Sequence, residues 1–285
     1  MRFVATLFLW LVTTVLLAVS VPAIWAQRNV VDAGGYSAFA ASAAKDPALQ
    51  QAMAEELTTQ VSAMLSHQGY DIDSGLVGGV AAAYTASAAF PGQFARANDV
   101  VHRWMFTDTT SQDSQGRWMV DLAPMLSDTS FKQTLANFNA EVPDSLTVPV
   151  TVSESMRPGQ LRQVATWGPW ASIGAGILTG VFALLMLAAA RARGKALAAL
   201  GVSALLAGAA GWAGLEVARR YIDTALDRTQ GDIRQVADVM VNQAEGSLHQ
   251  WLNLTLAAGG GLVVFGILVS MLGGLRRREW YVPAR

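Results

Sequence analysis

The chain has 285 residues, of which 52% are hydrophobic and only 14% charged, with a net charge of −1 and no cysteine. Soluble domains carry about 25% charged residues, so the deficit points to a membrane, and the near-neutral balance gives no basic footprint for nucleic acid. The missing thiols exclude a disulfide framework, a cysteine zinc site and a cysteine nucleophile together.

A hydrocarbon core about 30 Å thick takes about 20 apolar residues in helical form. The first segment of this kind, Phe3–Ala26, makes residues 1–26 a transmembrane anchor. The stretch "SVPAIWA" has the small residues of a signal-peptide cleavage site. Ile24 is poorly suited to the −3 position, however, and the run is long for a signal peptide, so an uncleaved anchor is expected.

Residues 27–163 form the next region, an expected extracytoplasmic domain long enough for one core. Asp46 followed by Pro47 is a helix cap and first-turn pair. Leu49, Met53, Leu57, Val61 and Met64 then recur on one helical face. "DIDSG" (Asp71–Gly75) resembles the opening of a calcium loop but lacks the acidic residue that closes one, so a solvated turn is expected. A second helix is predicted over Gly75–Ala89, stopped by "FPG" at Phe90–Gly92. A third follows through "QFARANDVVHRWMF", with Phe94, Val101 and Met105 on one face. "TDTTSQDSQG" (Thr107–Gly116) reads as a polar turn-forming run. "RWMVDL" reads as a short strand, Ser127–Ala140 as a short helix, and "SLTVPVTVS" (Ser145–Ser153) as a strand held at an edge by Pro149.

Three further spans follow, in residues 164–190, 196–215 and 252–275. Like the first, none contains an ionisable side chain, and a transporter or proton channel normally places one at membrane depth. Transport through this chain alone is therefore not expected. Between them lie a five-residue turn, 191–195, and a helical loop, 216–251, with Ile233, Ala237, Met240, Ala244, Leu248 and Trp251 on one face. Residues 276–285 form a tail. Arg2, the cluster Arg191, Arg193 and Lys195, and Arg276, Arg277 and Arg278 fall on one side of the membrane and in its shorter loops. That side is expected to be cytoplasmic. Arg219 and Arg220 on the other side are offset by Glu216 and Asp223. Trp167, Trp170 and Trp251 would mark the outer interface, and Trp280 with Tyr281 the inner one.

Small residues recur at helical spacing within the spans: Gly176 and Gly180; Gly201, Ala204, Gly208 and Gly211; Gly266, Ser270 and Gly274. Such stripes let helix backbones approach closely. Packing of these helices within one chain is expected, with a membrane-protein partner or a second copy as the alternative. "NLT" at Asn253 matches a glycosylation pattern but opens a span, so it is discounted.

Chemistry-bearing motifs are few. His67, His102 and His249 lack metal-ligand spacing, and no G-x-S-x-G elbow, Walker loop or dinucleotide fingerprint occurs. No metal and no cofactor is expected. Asn98, Asp99 and His102, with Arg103, sit on neighbouring turns and are the candidate ligand-binding residues. A solvated helix face with a satisfied histidine is the simpler reading of them.

Three stretches, "KDPALQQAMAEELTTQV", "FARANDVVHRWM" with its Asn98 and His102, and "DLAPML" (Asp121–Leu126), resemble a family of uncharacterised actinobacterial integral membrane proteins. The resemblance implies a cell-envelope setting and a helical outer region followed by membrane helices. It carries over no catalytic residue. The expected fold is mainly α, with four transmembrane helices, a mostly helical extracytoplasmic domain and a small β element. The expected function is non-enzymatic: a multi-pass plasma-membrane protein, both termini cytoplasmic, whose outer domain scaffolds or binds an envelope component or membrane complex. The alternatives are a module for a lipid or small ligand, or an envelope hydrolase using Asp99 and His102.

Overall fold

The structure, a computed structural model, describes residues 2–67, 73–107, 118–121, 147–150, 159–227 and 232–278. Among these the chain is mainly helical. In order the helices are α1 (Arg2–Ala26), α2 (Ala33–Ala43), α3 (Pro47–His67), α4 (Ser74–Thr85), α5 (Phe90–Phe106), α6 (Arg162–Ala189), α7 (Arg193–Leu226) and α8 (Asp232–Arg278). A π-helical turn, Gln27–Val31, follows α1. The strands β1 (Trp118–Asp121) and β2 (Thr147–Val150) pair antiparallel, with Met119 opposite Pro149. Four helices, α1, α6, α7 and α8, are long and apolar enough to cross a membrane. The chain divides into two compact units: Met1–Gln27, Gly168–Tyr221 and Glu245–Arg285 in one, and Arg28–Trp167 with Ile222–Ala244 in the other.

In the first unit most large apolar side chains point outward, with Trp25, Met186 and Leu252 as buried exceptions. Val4, Phe8, Leu11, Val15 and Val19 of α1 are all more than half exposed, as are Ile173, Ile177 and Leu184 of α6. Most other buried positions are small or hydroxylated, including Thr13, Ser20, Ser172, Ser203, Ala204 and Ala207. Lipid tails are as apolar as leucine, so greasy side chains gain nothing by turning inward there. Association rests on close packing and hydrogen bonds.

The tightest packing lies between α7 and α8. A Cβ built on Gly201 would stand 2.6 Å from both the Gly259 carbonyl oxygen and the Val263 amide nitrogen. One on Gly259 would stand 2.9 Å from the Gly201 oxygen and the Leu205 nitrogen. The pairing is antiparallel. Gly194 faces Gly266 and Ser270 at one end, Gly208 faces Leu256 further along, and Gly211 faces Leu252. Ala204 completes the seam against Gly259.

Hydrogen bonds attach the other two helices. Trp10 Nε1 donates to the Ala199 carbonyl at 2.9 Å, and Thr14 Oγ1 lies 2.8 Å from Ser203 Oγ, which fixes α1 parallel to α7. Ser20 and Thr179 hydroxyls meet at 3.4 Å, and Gly176 receives Ile24 of α1. Gly180, one turn on, has nothing within 4 Å of its Cβ position, so the expected Gly176/Gly180 pair is split between a packed and an open site. Gly274 lies in α8 beyond the residues whose packing is described.

The second unit has an ordinary hydrophobic core. Leu49, Leu57, Val61 and Leu65 of α3 meet Ala81 and Tyr84 of α4, Phe90 and Phe94 of α5, Ala40 and Ala43 of α2, and Val236 of α8. The Asp46 side chain accepts from the Ala48 amide at 2.8 Å, capping α3 as its sequence requires. Asp73 caps α4 through the Gly75 amide at 2.8 Å, which gives this aspartate of "DIDSG" a structural duty; Asp71 lies outside the described residues.

Several expectations need correction. Phe90–Gly92 opens α5 instead of ending α4, because Pro91 suits a first helical turn, where its missing donor costs nothing. On α5, Val101 and Met105 are only half-buried, while His102, Trp104 and Phe106 are buried beside Phe94. Ile233 is 46% exposed, and Val236 takes the core position on α8. Helix α2, in "AGGYSAFAASA", went unforeseen. The helix expected over Ser127–Ala140 and most of Thr107–Gly116 fall outside the described residues.

The seam yields a direct test. Gly201→Ala should destabilise the detergent-solubilised protein by about 1–3 kcal/mol, the usual cost of overpacking, because backbone atoms rather than side-chain tips would have to move. Gly180→Ala should be neutral or slightly stabilising, as expected for a helical glycine with free space around it. Thermal unfolding of both variants, monitored by circular dichroism, decides the matter.

Candidate functional site

The candidates Asn98, Asp99 and His102 lie on α5, but on two different faces of it. Residues four apart share a helical face, which sets Asn98 with His102 and Asp99 with Arg103. The first pair turns toward α2 and the π-helical turn; the second lies at the surface.

His102 is 4% exposed. Its ring lies 4.9 Å from that of Tyr36 and 4.4 Å from that of Phe106, tilted 31° and 29° respectively. Its Nε2 is 3.0 Å from the Val30 carbonyl. A carbonyl only accepts, so Nε2 carries the hydrogen in this contact. The Val30 carbonyl belongs to the last turn of a helix, where the usual intrahelical donors run out. The chain then reverses immediately. Asp32 caps α2, accepting from the Gly35 amide at 2.7 Å through Oδ1 and from the Tyr36 amide at 2.8 Å through its own carbonyl. A methyl group at Gly35 would fall onto the Arg28 carbonyl, so this reversal is open only to glycine. Tyr36 itself donates to Asn98 Oδ1 at 3.3 Å, and Asn98 Nδ2 donates back to the Phe94 carbonyl at 3.0 Å. Burial pushes the Tyr36 phenol above its ordinary value of 10.0.

Asp99 forms an ion pair with Arg103 at 3.1 Å, with 35% and 59% of the two side chains exposed. An exposed pair one turn apart on a helix contributes little. The structure therefore brings Asn98 and His102 together around Tyr36 and leaves Asp99 apart from them. An acid/base step needs a base within reach of substrate. Here the imidazole is buried, with its Nε2 on a backbone carbonyl and the Tyr36 and Phe106 rings packed against it.

His67 ends α3, and His249 lies in α8 with its ring 3.8 Å from that of Trp212. Among the described residues no three of His, Asp and Glu come together as a metal site would require.

Two polar features escaped the sequence reading. On α8, Glu245, His249 and Asn253 recur every four residues and meet α7. Glu245, 7% exposed, accepts from Arg219 Nη1 at 2.8 Å, and Asn253 Oδ1 accepts from Trp212 Nε1 at 3.3 Å. The spacing was visible, but only the partner helix shows that Glu245 is buried while Asn253 stays exposed. The second feature is a groove of about 310 Å³ between α3 and α4. Its walls are Gln50, Gln51, Glu55 and Thr58, and its floor is Gly78, Ala82 and Ala86. Small residues four apart on α4 create it, by leaving room that larger side chains would fill.

Compared with family models, with curated proteins and with solved structures, the chain matches none.

Two outcomes test the aromatic cage. His102→Ala should cost about 2–4 kcal/mol, from the cavity and the stranded Val30 carbonyl together. Asp99→Ala should change stability by less than about 0.5 kcal/mol. Both are read as denaturation midpoints. The raised Tyr36 pKa adds a pH signature. The folded state resists phenol ionisation, so its contribution is complete below pH 10.0 and is lost as pH rises above that value. Tyr36→Phe should flatten the alkaline decline in stability, measured as melting temperature against pH.

Proposed function

We propose that the chain is a multi-pass plasma-membrane protein whose second unit lies outside the cytoplasm and scaffolds or binds an envelope component or membrane complex. Its two termini and the short turn between α6 and α7 are placed in the cytoplasm by this reading, on the strength of the cation asymmetry. The resemblance to actinobacterial membrane proteins fits that setting.

The observation that carries the binding role is the open groove between α3 and α4. Elsewhere in that unit the conspicuous polar side chains are spent on the fold: His102 on Val30, Tyr36 on Asn98, Asp32 and Asp73 on helix caps. The groove's own polar groups are engaged as well, Gln50 with the Ala44 carbonyl, Gln51 with Glu55 and Thr58 with the Ala54 carbonyl, so what sets it apart is its open space. Most of its lining surface is apolar, which keeps a lipid or small ligand as the alternative occupant. A hydrolase using Asp99 and His102 receives no support from the separation of those two side chains. We read the chain as non-enzymatic.

The natural absence of cysteine makes every engineered thiol unique. Ala88→Cys, at an exposed position before α5, should react with a membrane-impermeant maleimide in intact cells. Ala192→Cys, in the turn between α6 and α7, should react only after permeabilisation; the opposite pattern inverts the topology. A photo-crosslinking amino acid at Gln51 should give a discrete adduct in living cells that Ala82→Trp, which fills the groove, abolishes. An adduct that persists in the filled variant, or no adduct at all, removes the groove from the account.

A further inference from the structure

The registers of α1, α7 and α8 bring Arg2, Arg191, Arg193, Lys195, Arg276, Arg277 and Arg278 to one end of the first unit, while Arg219 and Arg220 stand toward the other. Helix α1 runs parallel to α7 at a constant offset, since Trp10 meets Ala199 and Thr14 meets Ser203, each 189 residues on. Extended to the start of α1, the same offset sets Arg2 level with Arg191. Helix α8 runs antiparallel, with Ser270 opposite Gly194. Its backbone then continues to Arg278, roughly 9–12 Å past that level at 1.5 Å per residue. Arg276, Arg277 and Arg278 therefore extend the same end.

Arg191, Arg193 and Lys195 are all exposed there. Among the described residues none of the three pairs with a carboxylate. No Asp or Glu occurs in residues 2–6, 187–198 or 266–278, and Glu279 directly follows Arg278. The contrast within the same unit is direct, because the other end of the α7–α8 seam carries Glu245 against Arg219. Gly194, between two of the cations, is buried against Gly266 and Ser270. The seam thus pins the turn while its cations stay free. Helices of this apolar length end at the headgroup layer of a bilayer.

We propose that this end is a binding surface for anionic phospholipid headgroups of the adjoining leaflet, with Arg191, Arg193 and Lys195 as its primary contacts. It rests on the membrane reading above but not on which side of the membrane this end faces. Exposed, unpaired cations hold a free phosphate weakly, because water and salt screen each contact. A leaflet presents phosphates at high density and fixed depth, where each cation adds about fivefold to the preference for an anionic surface.

The test uses the full chain reconstituted into vesicles of phosphatidylglycerol and phosphatidylcholine at equal proportions, then released for native mass spectrometry. The wild type should retain the anionic lipid at least tenfold over the zwitterionic one. The triple variant Arg191→Gln, Arg193→Gln, Lys195→Gln should lose most of that preference, whereas Arg96→Gln, an exposed cation on α5, should keep it. Raising the salt should weaken retention by the wild type. Equal retention of both lipids by the wild type, or an undiminished preference in the triple variant, overturns the proposal. So does binding of inorganic phosphate to the delipidated protein as tight as that of the lipid. Vesicle flotation separates the two levels: a chain that does not float defeats the membrane reading itself, while one that floats without preference defeats only this inference.

Discussion

Backbone contact between α7 and α8 is the constraint on which the membrane-length unit depends. At Gly201 and Gly259 the two main chains come so near that not even a methyl group fits between them. Water drives no association between helices in lipid, so the attraction must come from many short-range contacts at once. Those contacts are available only if side chains are absent where the helices cross. Once α7 and α8 are locked, α7 offers the Ala199 carbonyl and the Ser203 hydroxyl to α1 at fixed heights. The indole of Trp10 and the hydroxyl of Thr14 then have partners in a medium that supplies none. Helix α6 joins through α1, by Ser20 with Thr179 and by Ile24 against Gly176.

The second unit obeys different rules. Its core is built in the ordinary way, with leucine, valine and phenylalanine turned inward. Its polar groups serve to end and restart helices. The passage from the π-helical turn into α2 shows this compactly. One aspartate caps, one glycine leaves room for a carbonyl, and a histidine from α5 satisfies the carbonyl that the helix end leaves over. His102 thus fastens this reversal to α5.

How much of this could be read from the residues alone follows from the range over which each signal acts. Hydropathy is a bulk property of about 20 residues, so the four membrane-length helices were plain, and the Asp46–Pro47 cap is a local pattern that was equally plain. Pairing is not local. Gly176–Gly180 and Gly201–Gly208 look alike in sequence, yet only the second stripe meets another backbone along its length. Gly194 was hidden inside a run that read as charge, and Gly259 inside three consecutive glycines. Helix α2 was missed because two glycines and a row of alanines and serines carry little periodic contrast; its start depends on the Asp32 side chain. The candidate site was legible as residue types and not as geometry. Spacing put Asn98, Asp99 and His102 close together on α5, but what faced Asn98 and His102 was set by Tyr36 and Val30, more than sixty residues away along the chain.

The inside-out composition of the first unit also bears on how such a chain would drift over evolutionary time. Leucine, isoleucine, valine and phenylalanine on its outer faces touch little of the chain itself, so within a bilayer one could replace another at almost no penalty. At Gly194, Gly201, Gly259 and Gly266 even a methyl group would press on the facing backbone. Lineages descended from this chain would change fastest at their greasiest positions and stand still at their smallest, the reverse of what a water-soluble core imposes.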